Sequence, residues 1–473
     1  GLFITEKFWS LFSEFENVHL DSNSDILFKG SFDLAVADNF SFDAARIAGE
    51  NGNVSLAART ITLGNNSSGS SDDFLTDTGS LKLTAETIQL GDGAIRTDGF
   101  GSIDLAATSG VLVRGGYLAS EKASSSLTVD GDLTINAPQV KVAGMRDAAD
   151  NYHAADYRID AGSGDVVVKG TSADVATAGD AGGRFEIAAG TIRHNSIIDN
   201  TAGTTVLTAA DNVLIEEYGK ILNRGNEHFA GGSVEVTAKS GTVDLAAGSL
   251  IDVSGGEQGD AGSIKLSSAT GEGSLSGDLN GRSGKKEGRG GSFDIDSLSV
   301  DDLSTLNDKL KTGGFNERIA VRARTGNLAV ATNDVLTARE VYLAADSGEL
   351  SVAGTINTSG NEQGGTVGLH AGQDLSLTAD SQINALGDKE GGSVTVDSRD
   401  GWVRMASGAV IDVSGHEEGG SVHFRAGRDD DPDNTVHTKM DLQGTIIGAE
   451  KIVAEGVETD NSVVGTFGQT NYN

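Results

Sequence analysis

The 473-residue chain carries 69 acidic against 35 basic residues, a formal charge of −34, with 66 glycines, 2 prolines and no cysteine. That balance excludes a nucleic-acid partner, because displacing counterions from a phosphate backbone needs a positive surface, and the missing cysteines exclude disulfides and thiolate metal sites. High glycine with so little proline fits neither collagen nor a Pro-rich linker, no run of 18 apolar residues offers a membrane span, and 37% hydrophobic content suits a thin repetitive fold better than one large core.

The first 17 residues differ from the rest. Ile4, Phe8, Leu11, Phe12 and Phe15 share a helical face, so residues 1–17 read either as an amphipathic helix covering the open end of a β structure or as a pair of aromatic-rich strands. The opening Gly1-Leu2-Phe3, without an initiator Met or a signal-peptide pattern, reads as an internal piece of a longer polypeptide.

From residue 18 a period-2 alternation takes over: VHL, DILFKG, FDLAV, FSFDA and NVSLAARTITLG, then a polar loop at 65–73. Such alternation sends every second side chain to one face, and Val and Ile favour extended backbone through branching at Cβ. The cadence then repeats. Gly79 and Gly101 open similar runs 22 residues apart, and Ser233 to Ser263, Thr366 to Ser393 and Ser393 to Ser421 repeat at 30, 27 and 28. Residues 393–420 show the unit most clearly, with apolar runs at Val394–Val396, Trp402–Met405 and Ala409–Val413 followed by a polar glycine corner. The fold class that follows is all-β: a right-handed parallel β-helix with three short strands per coil of 22–30 residues, the extra length lying in the corner after the third strand. Roughly 20–22 such coils, at about 4.8 Å each, would make a rod on the order of 100 Å long. Ala106, Ala107, Ala246 and Ala247 are expected inside the tight corners.

One stretch breaks the cadence. Val300, Leu303, Leu306 and Leu310 recur at helical spacing, with Ser299 and Asp302 resembling a capping box and Gly313 as the stop. The chain therefore divides into residues 1–17, a β-helix over 18–298, a helical insertion over 299–318, a second β-helical part over 319–457 and a loosely ordered tail over 458–473.

The units GGSVEVTAKSGTVDLAAGSLIDVSGG, GTINTSGNEQGGTVGLHAGQDLSLTADSQINALG and GGSVTVDSRDGWVRMASGAVIDVSG, with LSTLNDKLKTGGFNERIAVRARTGNLAVA, resemble filamentous-haemagglutinin-type exoproteins. The resemblance covers most of 18–457. It implies a bacterial two-partner secretion adhesin, exported through a dedicated outer-membrane transporter and held at the cell surface. It further implies a β-helical stalk working in attachment, aggregation or biofilm formation; lateral self-association into filaments is a separate expectation for such a rod. The amino-terminal secretion domain of that family has no counterpart in this chain, nor does a toxin or cell-wall-anchor segment.

Several residue groups could carry more than structure. Glu227, Glu257, Glu362, Glu390 and Glu417 stand in related E-x-G or E-G-G contexts before the next coil. In register, Glu362, Glu390 and Glu417 would form a ladder at about 5 Å, and like charges that close repel by about 1 kcal/mol even in water. Splaying into solvent relieves this; bridging calcium is the ligand hypothesis. Asp429, Asp431 and Asp433 in RDDDPDN offer hard oxygen ligands on a loop, without EF-hand spacing. Arg282, Lys285, Lys286 and Arg289 form a basic glycine-rich loop suited to an acidic exopolysaccharide or other glycans. Tyr117, Tyr152, Tyr157 and Trp402 are the aromatic candidates for sugar stacking.

HEEGGSVH at 416–423 is no zinc motif, since Gly420 stands where HExxH needs its second His. The main reading is a non-enzymatic stalk with no catalytic residues and no required cofactor. Its alternatives are a stalk that itself binds polysaccharide, a β-helical lyase or glycosidase, and the stalk of a contact-dependent toxin-delivery protein.

Overall fold

The computed structural model describes residues 1–9, 15–50, 52–66, 75, 78–115, 125–146, 152–170, 181–430 and 436–457. The tail at 458–473 lies outside them. Two compact units result: Gly1–Leu298 with Asp308–Ile319, and Ser299–Asn307 with Ala320–Asn473.

In the first unit, one face is a parallel stack that starts at Leu2–Ile4, Asp25–Lys29, Arg46–Glu50 and Ala94–Asp98. It continues through Ser125–Val129, Asp156–Asp160, Arg184–Ala189 and Thr204–Ala209 to Ser233–Ala238, Ser263–Ser268 and Gly291–Ser297. The long strands Asn53–Gly64, Gly79–Leu90 and Phe100–Val113 carry the other two faces as continuous ribbons. Later coils split these faces into short pieces such as Val243–Leu245 and Leu250–Asp252. In the second unit three separate parallel stacks are present from the start, exemplified by Ser393–Ser398, Val403–Met405 and Val410–Asp412.

This is a parallel β-helical solenoid in each unit. Among the described residues only two antiparallel pairs occur, Met145–Arg146 with Tyr152–His153 and Arg428–Asp430 with Val436–Thr438. Runs too short to survive as hairpins are held because each coil supplies the backbone partners of the next.

The spacing read from the sequence is the spacing of the coils. Leu81 pairs with Ile103, Val234 with Ile264, Val367 with Val394 and Val394 with Val422, which are offsets of 22, 30, 27 and 28. The shortest coil is tighter than 22, however. Phe185 pairs with Thr205, 20 residues on, because only residues 200–203 separate the third strand from the next coil. Inward positions build apolar columns such as Leu369–Val396–Phe424, all fully buried. Each such side chain contributes about 1.5–3 kcal/mol relative to exposure.

The corners close by one recurring bond. The first residue after the third strand accepts a hydrogen bond from the glycine before the next coil: Gly203 to Asn200, Gly232 to Asn223, Gly262 to Val253, Gly392 to Ala385 and Gly420 to Val413, at 2.6–2.9 Å. That glycine crosses directly over the coil beneath. A Cβ on Gly232 would sit 1.9 Å from the Gly203 carbonyl oxygen, and one on Gly392 would sit 2.2 Å from that of Gly365. The Gly-Gly pair is therefore a steric requirement of stacking.

The expected placement of the interior alanines is corrected, and the amino-terminal segment shows something of both its alternatives. Ala246 and Ala247 lie on an outward turn, Ala247 exposed, while Ser249 fills the interior with its hydroxyl bonded to the Ala246 carbonyl at 2.7 Å. Ala107 is inside as expected, but Ala106 faces partly outward. At the amino end, Leu2–Ile4 joins the sheet and buries Ile4, leaving a helical turn over Glu6–Trp9. Phe15 is exposed, and Leu11 and Phe12 lie outside the described residues.

The insertion does form a helix, Leu303–Gly313, burying Leu303, Leu306 and Leu310. Its cap is Asp302 itself, whose Oδ1 accepts the amides of Ser304 and Thr305 at 3.0 and 3.2 Å. Gly314, at φ +81°, ends it in the left-handed conformation.

Candidate functional site

The acidic corners of the second unit stack, but in a different register from the expected ladder. Gln363 bridges to Glu390 and Glu390 to Glu418, while Gly360, Gly387 and Gly415 form the parallel column beside them. Glu362 consequently aligns with Lys389, whose amide donates to the Glu362 carbonyl at 2.9 Å, and Glu417 donates its amide to the Lys389 carbonyl in turn. The column is Glu362–Lys389–Glu417, alternating in charge. The Lys389 Nζ to Glu362 Oε1 distance is 3.0 Å. The offsets of 27 and then 28 residues already imply this, since counting from Glu362 reaches Lys389 and then Glu417. A shared E-G-G motif is a poorer guide to register than that count.

Glu390 belongs instead with Gln363, Glu418 and Glu450 in the lining of an open groove of about 650 Å³. Thr366, Ser393, Ser421 and Lys451 line it too, with the Gly-Gly pairs at 364–365, 391–392 and 419–420. Its side chains offer hydrogen-bond acceptors and hydroxyls. Among the described residues no three His, Asp or Glu side chains converge as metal ligands. In the first unit Glu227 and Glu257 are both exposed at their corners.

In the second acidic cluster, Asp429 is a strand residue paired with His437 rather than a loop residue. Asp431 and Asp433 lie outside the described residues.

The basic loop is largely tied into the first unit. Arg282 donates to the Thr312 carbonyl at the carboxyl end of the helix, where a cation complements the exposed carbonyls. The Arg289 amide donates to the Asp260 carboxylate at 2.8 Å and its Nε lies 3.4 Å from the same group, which together hold Asp260 below the usual carboxylate range. Lys285 and Lys286 are exposed. Two of the four cations are thus structural ties, which leaves a smaller positive patch than the composition of the loop implied.

The aromatic candidates scatter. Tyr157 is an interior residue with no exposure, its phenol pushed up by burial. Tyr152 is more than one-third exposed and donates to the Gly182 carbonyl at 3.1 Å. Trp402 carries the Arg404 guanidinium over its ring at 5.3 Å. Tyr117 lies outside the described residues.

What sequence reasoning passed over is a set of buried polar groups in the first unit. Asn200 and Asn223 occupy the corner position held by Val253, Ala385 and Val413 in other coils. Asn200 binds the Gly183 amide and carbonyl at 2.9 and 3.0 Å and donates to the Thr205 hydroxyl at 3.1 Å. Thr205 donates to Asn223 Oδ1 at 3.0 Å, and Asn223 donates to the Gly203 and Ser233 carbonyls at 2.9 and 2.8 Å. The result is an internal ladder across consecutive coils, with each buried polar group satisfied.

Elsewhere Arg46, almost fully buried, reaches Asp25 at 3.2 Å and Asp98 at 3.3 Å. Burial nevertheless holds the Asp98 carboxyl above its ordinary range, against the pull of Arg46 and Arg96. Asp199 is likewise raised by burial, Thr201 accounting for one oxygen at 3.2 Å. His194 lies fully inside, its Nε2 donating to the Lys220 carbonyl at 3.1 Å. Inward parity after Ile192 was the available signal for His194, and the corner position was the signal for the asparagines.

No protein-family model, curated protein or solved structure matches the chain.

Proposed function

We propose that the chain is a stalk portion of a secreted bacterial surface adhesin of the filamentous-haemagglutinin type, serving attachment, aggregation or biofilm formation without catalysis. The observation that supports this most is the coil-to-coil register within each unit: parallel strands stack coil on coil over mainly apolar interior columns, while the corners differ in length from coil to coil. A scaffold built that way lengthens by adding units rather than new cores, which is what a spacer requires. On this reading export runs through an outer-membrane two-partner transporter, and the −34 charge keeps neighbouring chains soluble and apart until they are anchored.

The test is made on cells that produce the protein. An antibody raised against the chain should label intact, unpermeabilised cells, and removing the chain should lower attachment or aggregation. Labelling only after permeabilisation, or unchanged attachment on removal, would overturn the proposal. Release of products from acidic polysaccharides by the purified chain would replace it with an enzymatic reading.

A further inference from the structure

His194 sits where the other coils place aliphatic side chains. It pairs with Val168 in the coil before and Ile215 in the coil after, and the same interior column runs from Ile135 to Leu245. All of these residues are essentially fully buried. The imidazole has one hydrogen bond, Nε2–H to the Lys220 carbonyl at 3.1 Å, and its Nδ1 has no partner. That arrangement pairs the single donor of a neutral ring and leaves only its acceptor, Nδ1, without a partner. A protonated ring would bury a second donor, and its charge, against Val168 and Ile215.

The charged groups on the packed elements give no relief. Lys169, Arg193, Glu216 and Lys220 occupy outward or turn positions by strand alternation, and Arg193 pairs with Glu216 at 2.5 Å. Asp199, on the strand Ile197–Asp199 of the same coil, is buried but makes its contact to Thr201. Burial accordingly pushes the His194 imidazole down from 6.5 to about 4, and no carboxylate acts on it.

We propose that this coil is an acid-sensitive weak point of the first unit: protonation of His194 releases Ile192–Asn195 from the strands on either side, opening the stack locally. The sign follows from linkage. Once exposed, the ring titrates near 6.5; enclosed, it titrates near 4. The closed coil is at full strength above pH 6.5 and loses about tenfold in its closing equilibrium per pH unit down to about pH 4. Below that both forms carry the proton and the loss stops, at about 300-fold in all. Asp199, raised by burial, acts in the opposite sense and strengthens the closed coil as it protonates.

Hydrogen exchange on the full chain between pH 7 and pH 4, expressed as protection relative to the unstructured rate, tests this. Amides of Ile192–Asn195, Val213–Ile215 and Lys220–Leu222 should lose protection as the pH falls, while the coils around Val234–Ile264 keep theirs. His194→Leu, which completes the aliphatic column, should leave the local profile flat or rising in acid. His194→Gln supplies a non-titrating donor to the Lys220 carbonyl and should do the same, so the slope remains readable if the leucine variant folds poorly. Equal slopes in the wild-type chain and both variants, or loss of protection in all coils together, would overturn the proposal.

Discussion

Asn223→Leu removes the centre of the internal ladder while keeping similar volume. Three hydrogen bonds disappear: those to the Gly203 and Ser233 carbonyls and the one accepted from Thr205. Each such bond contributes about 1 kcal/mol net. The consequences differ by partner. The Gly203 carbonyl keeps the Ser233 amide at 2.9 Å, so its loss is mild. The Thr205 hydroxyl, fully buried, is left without its acceptor and adds about 1–3 kcal/mol of desolvation. The expected total is about 3–5 kcal/mol, with the introduced leucine side chain recovering part of it through apolar burial.

Urea unfolding followed by far-ultraviolet circular dichroism should show the lowered midpoint. Hydrogen exchange should place the loss in the coils spanning 183–233, because a solenoid couples chiefly to its nearest neighbours. Thr205→Val in the same background should cost much less than it does alone, since its partner is already gone. An Asn223→Leu chain less than about 1 kcal/mol below the wild type, or additive effects in the double variant, would refute the assignment of the ladder as a stabilising network.

Other outcomes follow from the same structure. Lys389→Glu turns the alternating column into three stacked carboxylates, with Glu362 below and Glu417 above the new one, and should lower stability by about 1–2 kcal/mol; calcium should restore it, whereas the unaltered chain should melt at the same temperature with or without chelator. Asp302→Ala removes the cap of Leu303–Gly313 and should loosen its first turn, read as faster amide exchange at Ser304 and Thr305. Asp199→Asn should raise the melting temperature at pH 7, because the folded chain holds this carboxyl above its ordinary range and ionising it there is unfavourable. That gain should shrink as the pH falls through the raised folded value and vanish below about 3.8, where the carboxyl is protonated in both states; a gain constant with pH would show that charge is not its origin.

The strand positions at 393–398, 403–405 and 410–412 were legible because inward parity and the polar corner are both local patterns in the chain. The helix was legible too, although its cap fell on Asp302 because the first helical residue is Leu303. Candidate sites fared differently. A glutamate in an E-G-G motif says nothing of its neighbour until the intervening residues are counted, and one residue of difference between coils replaces a carboxylate with Lys389. Arg282 and Arg289 looked like a free basic patch because their partners, the Thr312 carbonyl and Asp260, come from a helix end and an adjacent coil.

The sequence by itself therefore determined the class of fold, the spacing of the coils that repeat most clearly and the glycine corners, since each follows from alternation and repeat spacing along the chain. Tertiary structure alone decided which side chains meet: that His194 stands in an aliphatic column, that Asn200, Thr205 and Asn223 join into a ladder, and that Glu362 faces Lys389. Coils pair with residues 20–30 positions away at Thr205 or Val394 and 50 or more away at Arg96 or Ile198, so register, which is the sum of all the intervening corner lengths, sets the chemistry of each column.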